Sequence, residues 1–362
     1  MKSWQTSLLR VAAIAAGGAV AVWLAYALGD RAVPIYLEMG LAALVAIGLS
    51  LLMGFAGQIS LGQGAFFALG AYTAGILTVG INAEERFVDP GAGIDPLLAV
   101  LAAPVVTGLV AATVGVPLLR LRGHYLAFAT LALHLIMLAA LFAEERITGG
   151  QDPGLPITEP LEVGGFVIAD IADPTKRPLA AVVWALVAVA LLVALNLVRS
   201  RSGRALQAIA SGEREAAAVG VDVSSYKLRL FVFAAALAGL AGALFAFRLQ
   251  FLSPDAFPLL ISIEFVVIVV VGGLGSIYGA VLGAVAIVWL RDELRDLGTR
   301  AELLGFELPL TAPAMFQLGV FALILIIVML FMPRGVLPTV GGWSRRLRRP
   351  DVEREAAPPP HT

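Results

Sequence analysis

Runs of roughly twenty apolar residues recur along this chain, and they constrain its fold more than any other feature. A bilayer core about 30 Å thick is crossed by ~20 residues of α-helix. Apolar segments lie near residues 9–28, 33–53, 64–80, 97–119, 125–143, 179–198, 228–250, 258–271, 276–290 and 313–332. The third, eighth and ninth are short, and are expected to be tilted, broken or re-entrant. The expected number of crossings is therefore eight to ten. Inside hydrocarbon the backbone must satisfy its own hydrogen bonds, so the spanning elements are helices or closed barrels. Uninterrupted apolar runs of this length read as helices. The predicted fold is all-α, a polytopic integral membrane helix bundle. Only 14% of the 362 residues are charged, against about 25% in a soluble domain, which leaves no means of covering a water-facing surface. The first apolar run, preceded by Lys2 and Arg10, reads as a retained signal anchor.

Several kinds of chemistry are missing. Cysteine is absent, and the three histidines, His124, His134 and His361, are scattered, so no metal site is expected. There is no GxxxxGK[ST] loop to cradle a phosphate, and the three lysines are Lys2, Lys176 and Lys227. Neither a G-x-S-x-G elbow nor an HExxH pair occurs. The chain is expected to be no enzyme and to carry no cofactor. Any ATP-driven work must come from another subunit.

Lys and Arg orient the bundle. If the N-terminus is cytoplasmic and all ten segments cross, 16 basic residues fall on the inner side and eight on the outer, with Arg248 at a boundary. Both termini are thus expected inside. The outer loop 144–178 carries seven acids against three bases. The membrane domain is expected over 1–343, with an inner loop at 199–227. The tail 344–362, basic and then Pro-rich, is expected to be disordered.

Four features could carry function. The first is GFAGQISLGQGAFFALGAY at 54–72, where Gln58, Ser60 and Gln63 interrupt a Gly-rich stretch between apolar segments. Irregular backbone at membrane depth requires a surrounding cavity or protein; a tight cytoplasmic turn leading into a packed helix is the plainer reading. The second is the loop 199–227. Residues 204–209 and 213–219 look helical, broken at Gly212 and Gly220. Its length exceeds what a turn requires, which favours a docking element over a linker. The third is VVVGGLGSIYGAVLGA at 269–284, either a helix interrupted near the midplane or a hairpin between two short helices. The fourth is a set of ionisable residues within or beside spans: Glu38, His134, Arg248 and Glu264. Charge inside a membrane is costly and usually faces a cavity or partner. Yet Glu38, Arg248 and Glu264 lie near segment ends, which favours a boundary role, and a neutral His134 packed among helices is ordinary. An internal echo also appears. Leu61-Gly62 precedes Leu69-Gly70-Ala71 by eight residues, as Leu274-Gly275 precedes Leu282-Gly283-Ala284. It reads equally as duplication or as chance in a Gly- and Ala-rich chain.

Taken in order, five stretches resemble the permease subunits of branched-chain amino acid ABC importers, particularly the longer of the two paired permeases. They are AGQISLGQGAFFALGAY (56–72), LRGHYLAFATLAL (121–133), TGGQDPGLP (148–156), SGRALQAIASGEREAAAVGVD followed by YKL (202–228) and GGLGSIYGAVLGA (272–284), with MPRGVLP at 332–338. One departure is His124-Tyr125-Leu126, where the family usually has a Tyr-Phe pair.

The resemblance implies a partner set: a second homologous permease, two cytoplasmic ATP-binding subunits and an extracytoplasmic substrate-binding protein, assembled in the bacterial plasma (inner) membrane. It implies an ATPase-coupling role for Gly203, Arg204, Glu215, Ala216, Ala217 and Gly220, with Gly220 one residue nearer to Glu215 than the general ABC importer pattern has it. A translocation pathway is implied near Gly57, Ser60, Gly62, Gln63, Gly272, Gly273, Gly275 and Ser276. Transport would proceed by alternating access, and the solute would be a branched-chain amino acid or a similar small polar molecule such as urea, an amide or an aromatic acid. A self-sufficient channel or secondary transporter is the alternative, though few coupling groups are available at the midplane. A membrane enzyme or scaffold is a third reading, against which stands the lack of any clustered His, Asp or Cys.

Overall fold

The computed structural model describes residues 2–80, 93–121 and 123–299, apart from single positions at 153, 158, 171, 172, 174 and 250, together with 319, 322, 323 and 326. Apart from those last four positions, the expected segment 313–332 lies outside the described residues, as do the 332–338 motif, the tail 344–362, most of the loop 81–96 and Arg122.

Each apolar run within the described residues is a helix. In chain order these are α1 (Lys2–Ala27), α2 (Val33–Phe55), α3 (Gln63–Val79), α4 (Pro96–Leu118) and α5 (His124–Ala143). A single-turn α6 (Glu145–Thr148) and the strands β1 (Leu155–Pro156), β2 (Leu161–Val163) and β3 (Phe166–Ala169) follow. Next come α7 (Arg177–Arg199), α8 (Arg201–Ser211), α9 (Glu213–Ala218), α10 (Val223–Arg248), β4 (Phe251–Leu252), α11 (Leu259–Gly272) and α12 (Ile277–Thr299). Among the described residues, seven helices are long and apolar enough to cross a membrane: α1, α2, α4, α5, α7, α10 and α11 with the turn before it. α3, at 17 residues, is the short one. α12 outlasts its apolar run by nine residues, continuing from 290 through Arg291 to Thr299, and Arg291 pairs with Glu38 and Glu264.

Proline and capping side chains set several helix starts. Pro34, Pro96 and Pro178 occupy first-turn positions of α2, α4 and α7, where a missing N–H costs nothing. Asp95, Ser200 and Asp222 accept hydrogen bonds from the first-turn N–H groups of α4, α8 and α10.

α2 and α10 form the centre. The apolar window of α2 is 83% buried and that of α10 is 72% buried. α3, α4 and α2 surround α10, while α7, α11 and α12 pack on α2 and α1 lies outside on α7. α4 and α5 instead present wide apolar faces, including Leu101, Val105, Leu109, Phe128 and Ile136, all more than half exposed. Exposure on this scale would cause aggregation in water and suits lipid or another membrane subunit.

Small residues let the backbones touch. A Cβ added at Gly70 of α3 would lie 2.1 Å from the Gly239 carbonyl of α10, and one at Gly242 would lie 1.8 Å from the Phe67 carbonyl. The stretch 272–276 forms the turn of a hairpin. Contacts of Gly272 with Gly279, and of Gly283 with Ile268, show α11 and α12 packed antiparallel. In the internal echo, Gly70 and Gly283 each contact the backbone of a neighbouring helix, which gives the two repeats a shared packing role.

The segment 144–178 is more ordered than an open loop. β2 and β3 form a hairpin, while β1 pairs with β4 across the molecule, Leu155 opposite Leu252. That ladder ties the start of the segment to the C-terminal end of α10.

Candidate functional site

The sites nominated from the sequence fall at the two ends of α10. Lys227 and Arg248 are 21 residues apart on this helix, about 31 Å at 1.5 Å per residue. α8 and α9 sit at the first end and the β1–β4 ladder at the other.

At the first end, α8 folds back beneath the bundle. Its Gly203, Leu206 and Ile209 are buried at three-residue spacing, while Arg204 is exposed. Gly203 permits the fold-back, since a Cβ there would lie 2.0 Å from the Val198 carbonyl of α7. α9 buries Ala216 and exposes Glu215, Ala217 and Gly220, and the neighbouring Val219 is 78% exposed. Both predicted breaks are present, but they differ in kind. Gly220 has a φ of 86° and needs glycine, whereas Gly212, at 178°, is extended backbone open to any residue. The Lys227 ammonium, almost fully buried, pairs with Glu213 and fixes α9 to α10. The Ser225 hydroxyl and N–H hold the Asp222 carboxyl below its usual range.

The polar segment begins beside these helices. α2 ends at Phe55, and Gly57, with a φ of 63°, turns the chain so that the Gln58 N–H donates back to the Leu52 carbonyl at 3.0 Å. A Cβ on Gly57 would lie 4.0 Å from Ala210 of α8, and one on Gly54 would lie 2.3 Å from the Gly275 nitrogen. The end of α2, the tip of α8 and the α11–α12 turn therefore meet. From Gly57 to Ser60 exposed and buried residues alternate, as they do along extended chain. The segment then joins α5, where the Leu61 N–H donates to Thr130 Oγ1 at 2.9 Å and Gly62 packs on the Thr130 carbonyl. Gln58, Ser60 and Gln63 are 4%, 2% and 0% exposed. None of their side-chain nitrogen or oxygen atoms has a hydrogen-bond partner among the described residues. A buried polar group left without a partner costs about 1–3 kcal/mol.

His134 belongs to a closed network. The Gly64 N–H donates to Ser262 Oγ at 2.9 Å, and Ser262 Oγ lies 2.8 Å from His134 Nδ1. His134 Nε2 lies 3.3 Å from the Phe257 carbonyl. A neutral ring protonated on Nε2 satisfies every contact: the Ser262 hydroxyl donates to Nδ1 and Nε2–H donates to the carbonyl. His134 thus joins α3, α5 and α11 as a structural residue.

At the far end of α10 the other three ionisable residues come together. Glu38 of α2 pairs with Arg248 of α10 and with Arg291 of α12. Arg291 Nη1 also reaches both oxygens of Glu264 on α11, at 2.9 and 3.0 Å. Two carboxylates and two guanidiniums thereby link four helices. They line a cavity of about 310 Å³, together with Leu41, Phe67, Phe245, Ile261 and Phe265 among others. Placing Glu38, Arg248 and Glu264 separately at segment ends missed this association. The available signal was their shared distance from one membrane face, along with Arg291 one residue past an apolar run.

The described residues contain no group of three His, Cys, Asp or Glu able to hold a metal. Residues 31–330 match the family model described as branched-chain amino acid transport system / permease component. The high-affinity branched-chain amino acid transport system permease protein LivM of Salmonella typhimurium strain LT2 is 32% identical over 312 residues, covering 82% of this chain and 67% of the relative. LivH of Escherichia coli K12 is 25% identical over 329 residues, covering 86% and 92%. The ribose import permease protein RbsC of the same strain is 28% identical over 264 residues, covering 71% and 75%. No solved structure matches the chain. With most of its length covered by that model, and with the helical membrane architecture described above, the chain belongs to the branched-chain amino acid transport system permease family.

Proposed function

We propose that this chain forms one half of the membrane pathway of an ATP-driven importer for branched-chain amino acids, paired with a second, homologous permease. The observation that carries this reading is the approach of α8 to the end of α2, beside the turn at Gly57. It brings an exposed, helix-tipped surface next to a buried segment whose polar side chains lack partners among the described residues. Displacement of α8 and α9 by a cytoplasmic ATPase would reach Gln58, Ser60 and Gln63 directly. Glu215, Ala217 and Val219 provide the docking surface, and the Lys227–Glu213 pair transmits the movement to α10. The buried segment and the neighbouring turn at Gly272, Gly273, Gly275 and Ser276 lie beside the route of the solute, and a shift of α8 would open them to it. The distribution of Lys and Arg supports a cytoplasmic position for α8 and α9 and for both chain termini. The substrate-binding protein then docks near the β1–β4 ladder, and the complex resides in the bacterial inner membrane. The mechanism is alternating access. Catalytic groups belong to the ATP-binding subunits.

The test is co-purification from the native membrane, followed by uptake in vesicles. Wild type should bring down an ATP-binding subunit and support ATP- and binding-protein-dependent uptake of leucine. Glu215→Arg should weaken both. Leucine uptake by the purified chain alone, with no ATPase present, would establish the self-sufficient transporter instead.

A further inference from the structure

We propose that the cavity lined by Glu38, Arg248, Glu264 and Arg291 is a binding site for one zwitterionic α-amino acid with an aliphatic side chain. This rests on the importer reading above and assigns that reading a substrate site within this chain. Three observations carry it. First, the charges balance, with two carboxylates and two guanidiniums. A solute with net charge would upset that balance, whereas a zwitterion adds one charge of each sign. Second, the charged groups retain surface. The side chains of Glu38, Arg248, Glu264 and Arg291 are 26%, 23%, 13% and 36% exposed. Arg248 pairs only with Glu38 among the described residues, and its guanidinium otherwise stacks 5.8 Å from the Phe245 ring centre. Its remaining donors can take a carboxylate as a two-point contact. Glu264 accepts from a single nitrogen of Arg291, which leaves lone pairs for an ammonium. Third, the remaining lining is apolar: Leu41, Phe67, Phe245, Ile261 and Phe265. A volume of about 310 Å³ falls at the bottom of the range for small-molecule pockets, about 300–1,000 Å³, and so suits one amino acid. In this site the α-carboxylate meets Arg248, the ammonium meets Glu264, and the aliphatic chain lies against the phenylalanines.

The site is tested on the complete complex of both permeases and ATP-binding subunits in nanodiscs, without binding protein, using tritiated L-leucine. Wild type should bind leucine saturably. N-acetyl-L-leucine, which lacks the ammonium, and L-leucinamide, which lacks the carboxylate, should compete at least tenfold less well than L-valine. Arg248→Gln and Leu260→Trp should each weaken binding tenfold or more. Leu260 lines the cavity but is 49% exposed, so Leu260→Trp can fill the space without disturbing the ion pairs. It supplies the decisive variant if Arg248→Gln does not assemble. Equal competition by the two blocked analogues would overturn zwitterion recognition. So would a wild-type complex that imports leucine with its binding protein but binds none here, or that binds it regardless of Leu260→Trp. In these cases the importer reading survives. A complete complex that imports no amino acid overturns both.

Discussion

Gly70→Ala tests whether backbone contact between α3 and α10 holds the centre of the bundle. A Cβ at Gly70 would lie 2.1 Å from the Gly239 carbonyl oxygen and 2.4 Å from its Cα. Carbon atoms pack best at about 3.5–4.0 Å, so the helices must part by roughly 1 Å. The neighbouring contacts then suffer. Phe66 packs on Phe231 and Phe67 on Phe245, with ring centres 5.4 and 5.1 Å apart, and a gap of ~0.5–1 Å forfeits a quarter to a half of each dispersion well. Overpacking typically costs about 1–3 kcal/mol. Against it stands the helix preference of Ala over Gly, about 1 kcal/mol. A clash with backbone on both sides cannot be relieved by a rotamer change, so the upper part of the range applies and a net loss of about 2 kcal/mol is expected. The assay is thermal unfolding of the purified protein in mild detergent, beside Gly17→Ala. Position 17 has nothing within 4 Å of its added Cβ, so that control should melt at or slightly above wild type, and Gly70→Ala several degrees below. If Gly70→Ala melts level with the control, the close approach of α3 and α10 is not what holds the core.

Other substitutions probe the segment and its attachments. Gln63→Leu removes a fully buried amide without a partner among the described residues. The purified chain should become as stable as wild type or more so, while uptake by the assembled importer falls; a parallel loss of both would show the amide to be a structural element. Thr130→Val removes the acceptor of the Leu61 N–H and should cost about 1–2 kcal/mol in thermal unfolding, with faster hydrogen exchange confined to residues near 61. Lys227→Gln releases Glu213, whose side chain is 41% exposed, so the stability cost should be about 1 kcal/mol or less. ATP hydrolysis by the complex should then persist while leucine uptake drops.

How far the fold could be read from sequence depended on the range of the interaction. Span boundaries follow from a local count of apolar residues, and α2, α4, α5 and α7 fall within a few residues of the runs that announced them. The two short helices of the 199–227 loop were equally local, because amphipathic spacing and Gly220 mark them. Three things were not local. Arg291, just past the apolar run of α12, pairs with Glu264 and with Glu38, which is 253 positions away. β1 finds β4 across nearly a hundred residues, and two-residue strands leave no period to detect. The polar segment 57–63 was visible as an interruption, but its course from α8 to Thr130 depends on which backbones approach Gly54, Gly57 and Gly62.

The arrangement also explains why polar groups concentrate at the ends of α10 while its middle is lined by small residues. Between Ala234 and Ala246 this helix buries Ala234, Ala235, Ala238, Gly239, Ala241, Gly242, Ala243 and Ala246, with Leu244 the one large side chain among them. Its neighbours therefore lie against bare backbone, where they can shift little without a clash. Side chains that can change partners are at the two ends: Lys227 with Glu213 on one side, Arg248 with Glu38 on the other. A helix packed so closely along its length transmits displacement as a rigid body, because opening a gap at Gly239 or Gly242 would sacrifice many contacts at once. Movement of α9 through Lys227 should therefore arrive at Arg248, about 31 Å away, as a tilt of the whole of α10. If α8 and α9 meet an ATPase as proposed, a change at that surface would therefore reach the charged cavity through Arg248.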